Sequence, residues 1–135
     1  MAVDSDFKTL HPELIREEAE LLTREFFSAT SSMGLSNREI GEILGVSEPT
    51  ISRAKKREIY FSRTRSHQWN IAELLVRACQ ELKRIYDHPR KEKHWFTTYN
   101  HALGGFPIEL IRRYEGLLEV VRHLEVREVY RKEKF

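Results

Sequence analysis

The chain is expected to be all-α: an N-terminal helix-turn-helix bundle followed by a small helical domain. Three observations point there. Apolar residues recur at intervals of three and four along most of the 135 residues, the period of one helix face. No segment alternates apolar and polar residues as a half-buried strand does. The four prolines and six glycines fall mostly where helices would start or stop.

The first helix is expected to open on Pro12, which suits a first turn, and to bury Ile15, Ala19, Leu22 and Phe26, with Leu14, Leu21 and Phe27 widening the stripe. Ser28 to Gly34 is expected to end it. Ser36, followed three residues later by Glu39, forms a capping box for a short helix whose buried face is Ile40, Ile43 and Leu44 and which Gly45 stops. Ser47 caps the next helix. After a basic stretch, Ser66 begins a long helix with Ile71, Leu74, Leu75, Ala78, Leu82 and Ile85 on one stripe and Cys79 beside it, ending at Asp87-His88-Pro89. Pro89 to about Thr98 reads as a short helix carrying Trp95 and Phe96, Asn100 to Phe106 as a glycine-bearing turn, and Pro107 through Ile111 as another short helix. A final helix is expected after Gly116, with Leu117, Val120, Val121, Leu124 and Val129 inward. The basic stretch at 58–67 is the expected boundary, which divides the chain into 1–66 and 67–135.

One third of the residues are charged and 40% hydrophobic, and the mean hydropathy is −0.57, which fits a globular chain with a real core and excludes disorder. No apolar run approaches the roughly 18 residues of a membrane span, and Met1 to Leu10 lacks the basic start and apolar run of a secretory signal, so a cytoplasmic location is expected. Cys79 is the single cysteine, which excludes an internal disulfide framework and a multi-cysteine zinc site. Charge is uneven: seven acids oppose three bases over residues 1–34, whereas seven bases oppose four acids over 35–66. Arg53, Lys55, Lys56, Arg57, Arg63 and Arg65 have only Glu58 as a nearby acid, the pattern of a phosphate-contacting surface.

Residues 37–56 carry the most informative pattern. With Asn37 as the first position, Ile40, Leu44, Val46, Ile51 and Ala54 fall where two crossing helices need apolar contacts, Gly41 where they approach closely, and Gly45 at the tight turn. Such bracing lets the second helix enter a DNA major groove in fixed orientation. With Ile51 and Ala54 inward, about 100° per residue turns Pro49, Ser52, Arg53 and Lys56 outward, flanked by Ser47, Glu48 and Thr50. Arg53 is the expected base contact, since a guanidinium can bond guanine twice; Thr50 and Ser52 would meet base edges or phosphate, and Lys56 and Arg57 phosphate. Glu48 either accepts from a cytosine amine or serves the helix N-terminus alone.

A second pattern lies in residues 95–124: Trp95, Asn100-His101-Ala102-Leu103-Gly104-Gly105-Phe106-Pro107, Leu110, Gly116, Val120 or Val121, and Leu124. Paired glycines followed by a helix-starting proline specify a sharp corner between helices. No lysine and hydroxyl follow them as a phosphate-binding loop would require. Over about residues 35–125 the chain resembles the Xre/ParS-type antitoxins of type II toxin–antitoxin modules, including those paired with RES-domain toxins. Phe106 stands where that family usually has a polar residue, and Glu125 to Phe135 replaces its short glycine-containing ending. The resemblance implies an N-terminal region that represses its own operon through operator DNA, and a C-terminal toxin-binding domain. In the RES branch the toxin degrades NAD and the antitoxin covers its active site. The implied toxin-binding surface is Asn100, Leu103, Gly104, Gly105 and Phe106, with Arg122, Arg127, Arg131 and Lys132 of the last helix as polar contacts.

The remaining candidates read as structure. His88, His94 and His101 lie on different elements without cysteine partners, so no metal site is expected. Trp69, Trp95, Phe96 and Tyr99 suit core or interface packing, and Cys79 a small buried hydrophobe. No activated nucleophile or carboxylate pair stands out, so neither enzymatic activity nor a cofactor is expected. The expected partners are double-stranded operator DNA, a cognate toxin and a second copy of the chain, since two copies on a palindrome raise affinity and specificity. A stand-alone Xre-type repressor whose C-terminal domain only dimerises is the alternative.

Overall fold

In the computed structural model, which describes residues 12–134 and the side chains of 13–126, seven helices and no strand occur among the described residues. They are α1 (Pro12–Met33), α2 (Asn37–Leu44), α3 (Glu48–Lys55), α4 (Ser66–Tyr86), α5 (Pro89–Thr97), α6 (Pro107–Leu110) and α7 (Tyr114–Lys134). No described helix is long and apolar enough to cross a membrane.

α4 is the central rod. Its buried residues Trp69, Ile71, Ala72, Leu74, Leu75, Val76, Ala78, Cys79 and Leu82 span an arc of about 220° at 100° per residue, too wide for one neighbour to cover. α7 covers one side with Leu117, Val120, Val121 and Leu124, and α1 covers another with Leu22, Phe26, Ala29 and Met33. Each of the leucines, valines, Phe26 and Met33 contributes about 1.5–3 kcal/mol by leaving water. The result is a single hydrophobic cluster running from α1 through α2 and α3 to α7.

The structure departs from sequence expectation in three places. α1 does end within Ser28–Gly34, but only at Met33, with Gly34 at φ 79°, so most of that segment is helical. The Thr30 and Ser32 hydroxyls donate back to the Phe27 and Ser28 carbonyls, and Ala29 and Met33 are buried, so packing outweighs the weak helix preference of the serines and threonines. Leu14 and Leu21 do not widen the buried stripe; they are 57% and 44% exposed, because α4 covers only the Leu22–Phe26–Met33 side. α7 begins at Tyr114 rather than after Gly116, with Gly116 in its first turn. A Cβ on Gly116 would stand 2.1 Å from the Leu110 carbonyl oxygen, so glycine there permits backbone contact between α6 and α7. Val129, expected inward, lies beyond the described side chains.

Candidate functional site

α2 and α3 form the helix-turn-helix that the spacing predicts. Ser36 caps α2: its hydroxyl accepts from the Glu39 N–H at 3.1 Å, and its own N–H donates to Glu39 Oε1 at 3.1 Å. That bond from the Ser36 N–H, with the Ser36 hydroxyl and the nearby Arg112 guanidinium, holds the Glu39 carboxyl below the ordinary carboxylate value against the opposing effect of burial. Gly45 ends α2 in the left-handed region at φ 73°. Gly41 is where the helices meet: the Val46 N–H donates to its carbonyl at 2.9 Å, and a Cβ there would lie 2.7 Å from the Val46 carbonyl oxygen.

The expected inner face of α3 is found inward, with Ile51 buried and Ala54 half-buried. Ser47 is its N-cap, accepting from the Thr50 N–H at 3.3 Å with the two hydroxyls 2.9 Å apart, so both are engaged in starting the helix. Glu48 and Pro49 occupy the exposed first turn, where the acid faces the positive end of the helix dipole. Arg53, Lys56 and Arg57 are exposed and Ser52 and Thr50 half-buried. Among the described residues Arg53 has no ion-pair partner. Arg57 has φ 63°; its N–H and that of Glu58 donate to the Ala54 and Arg53 carbonyls at 3.0 Å. This is a Schellman ending with arginine where glycine is usual, a strain of about 1–2 kcal/mol carried at the tip of the basic face.

Two bases of the expected phosphate-contacting stretch serve the scaffold instead. Arg63 Nε donates to Glu18 Oε2 at 3.0 Å and the guanidinium lies 4.9 Å from the centre of the Trp69 ring. Lys55 Nζ lies 5.9 Å from the centre of the Phe27 ring. Between them the connecting segment is tied down by the Phe61 N–H donating to Thr23 Oγ1 at 3.0 Å and by Phe61 packing edge-on against Phe26 at 4.9 Å.

The expected C-terminal corner is also present. The Asn100 N–H donates to the Gly105 carbonyl at 2.9 Å, and Asn100 Oδ1 accepts from the Leu103 N–H at 3.0 Å. Gly104 takes φ 74°, and Gly105 packs closely on the Leu110 side chain. Asn100, Leu103, Gly104 and Gly105 therefore build the corner, and Phe106 is the large side chain it displays, 39% exposed. Arg122 is exposed on α7, and the side chains of Arg127, Arg131 and Lys132 lie outside the described residues. Trp69, Trp95 and Phe96 are buried as expected, but Tyr99 is 46% exposed. It stands edge-on to His101 at 5.0 Å and to Phe106 at 5.4 Å.

Sequence reasoning missed the link between the two halves. Arg112, just after α6, donates through Nη2 to Glu39 Oε2 at 3.1 Å and lies 3.9 Å from Glu42, both on α2. The partners are 73 positions apart, so no local periodicity could pair them. Cys79 supplies another tie, its thiol donating to the Ala29 carbonyl at 3.6 Å. Burial pushes that thiol up to about 12, which suits a packing residue and not a nucleophile.

Two family models match the chain. Residues 15–77 match the antitoxin Xre-like helix-turn-helix domain, and residues 81–128 match the antitoxin Xre/MbcA/ParS C-terminal toxin-binding domain. The two matched regions meet within α4. Comparison with curated proteins gives no match.

Proposed function

The chain belongs to the Xre/MbcA/ParS-type antitoxins, and from that premise we propose that it neutralises a RES-type, NAD-degrading toxin and represses its own operon as a homodimer on operator DNA. It acts by binding, without turnover, in the cytoplasm. The observation that carries the DNA half is the orientation of α3: Ile51 is buried while Arg53 faces solvent with no ion-pair partner among the described residues. Arg53 reads a base edge, Thr50 and Ser52 approach base edges or phosphate, and Lys56 and Arg57 hold phosphate. Ser47, Glu48 and Pro49 set the first turn that meets the duplex. The toxin half rests on the corner from Asn100 to Phe106 together with Arg122, exposed on α7, and with Arg127, Arg131 and Lys132, whose side chains lie outside the described residues.

Gel-shift titration on the DNA upstream of the operon tests the first half. Arg53→Ala should weaken specific binding by about 1–3 kcal/mol, whereas Lys56→Ala should weaken every duplex and flatten the salt dependence. Unchanged titrations for both variants would overturn the assignment of this face. Copurification with the product of the neighbouring reading frame, and rescue of growth from it, tests the second half. NAD consumption by that product identifies its class.

A further inference from the structure

A cavity of about 450 Å³ opens where the end of α4 and the face of α5 meet the Asn100 corner. Aromatic rings line it, with Tyr86 half-buried, Trp95 buried and Tyr99 exposed, joined by His88 and His94. Its rim is cationic, with Arg90 and Lys91 in the first turn of α5, and among the described residues no carboxylate lines it. Glu92, the one acid of that helix, is turned into the core. Among the described residues neither Arg90 nor Lys91 has an ion-pair partner, and the amino end of the nine-residue α5 adds positive potential on the same side. Beyond the mouth, Tyr99 continues onto His101 and Phe106, all exposed, so the aromatic surface extends past what a small molecule would need.

We propose that this cavity and its aromatic lip receive an acidic segment of the toxin, with one large apolar side chain seated against Trp95 and Tyr99 and its carboxylates facing Arg90 and Lys91. The proposal rests on the toxin-binding reading above and specifies where and by what chemistry the toxin is held. Aromatic and arginine side chains around a preformed recess are the groups that dominate binding energy at protein interfaces. The recess is preformed: the Asn100–Gly105 backbone pair and the Asn100 side chain fix the corner, so little ordering accompanies docking. α5 packs against α1, α4 and α6, and α3 against α1 and α2, so one chain holds DNA and toxin on separate elements.

The test measures toxin association by biolayer interferometry at low and high salt, using the full chain and the product of the neighbouring reading frame. Operator duplex is titrated in parallel. Arg90→Glu combined with Lys91→Glu should slow association about tenfold or more at low salt, with a smaller loss at high salt. Tyr99→Ala should speed dissociation about tenfold or more, and Tyr99→Phe should restore it. Wild-type capture of the toxin with both variants binding equally well overturns the proposal and leaves the antitoxin reading standing. A loss confined to duplex also overturns it, by assigning Arg90 and Lys91 to DNA. Failure of the wild-type chain to capture the toxin removes the antitoxin reading, and this proposal with it.

Discussion

Gly41→Ala sets two opposing effects against each other, and the geometry decides the sign. Inside a helix, alanine is favoured over glycine by about 1 kcal/mol, so in open space this change would stabilise the protein. Here the new Cβ would lie 2.7 Å from the Val46 carbonyl oxygen, inside the 3.0 Å below which real Cβ contacts are essentially never seen. The obstacle is backbone, and no rotamer change relieves it. Forced overpacking of this kind costs about 3 kcal/mol, and parting the helices also weakens the Val46-to-Gly41 hydrogen bond, worth about 1 kcal/mol. The net expectation is a destabilisation of about 2–3 kcal/mol, read as a lower midpoint in urea unfolding with an unchanged slope. Because the same shift tilts α3, operator affinity should fall at urea-free conditions where the variant remains folded. A variant as stable as wild type, or more so, would show that the two helices do not cross this closely, and the orientation of Arg53 would lose its support.

Other outcomes follow from neighbouring features. Arg57→Gly relieves the left-handed backbone and should stabilise the fold by about 0.5–1 kcal/mol while weakening duplex binding and reducing the salt slope by about one; thermal melts and gel shifts should move in opposite directions. Glu39 is held below the ordinary carboxylate value of 4.5, so its stabilisation is complete above that pH and is lost as the pH falls through the lower folded-state value. Glu39→Gln should therefore lose stability at neutral pH and show a shallower decline below pH 4.5, measured by acid titration of circular dichroism. The Cys79 thiol, pushed up to about 12 by burial, should resist thiol reagents at neutral pH until the chain unfolds.

What was legible in the sequence was local. Ser36 with Glu39, Gly41, Gly45 and Ser47 each act within a few residues, so their spacing alone specifies two caps, a turn and a crossing. The Asn100–Pro107 corner is equally self-contained. Partners distant in the chain were not legible: Arg112 with Glu39, Phe61 with Thr23, and Arg63 with Glu18 and Trp69 arise only once α4 has gathered the elements around it. Amphipathic periodicity marks one face of α1 as apolar but does not say how much of it a neighbour covers, which is why Leu14 and Leu21, expected on the buried stripe, are exposed. Tyr99 shared the helical spacing of buried aromatics, and its exposure depends on where α5 ends relative to the corner. The separation of Arg63 and Lys55 from the other bases depends on ring contacts that composition does not encode.

The breadth of α4's covered surface bears on how such proteins could exchange partners. A hybrid that joins the DNA-reading half of one antitoxin to the tail of another inherits a rod whose two flanks were shaped by different neighbours. A junction in the exposed segment before Ser66 would bring a foreign α4 against Phe26, Ala29 and Met33. A junction after Tyr86 would bring a foreign final helix against the α4 face that α7 now covers. Either graft demands compensating changes along the seam it creates, so the two halves are not freely interchangeable.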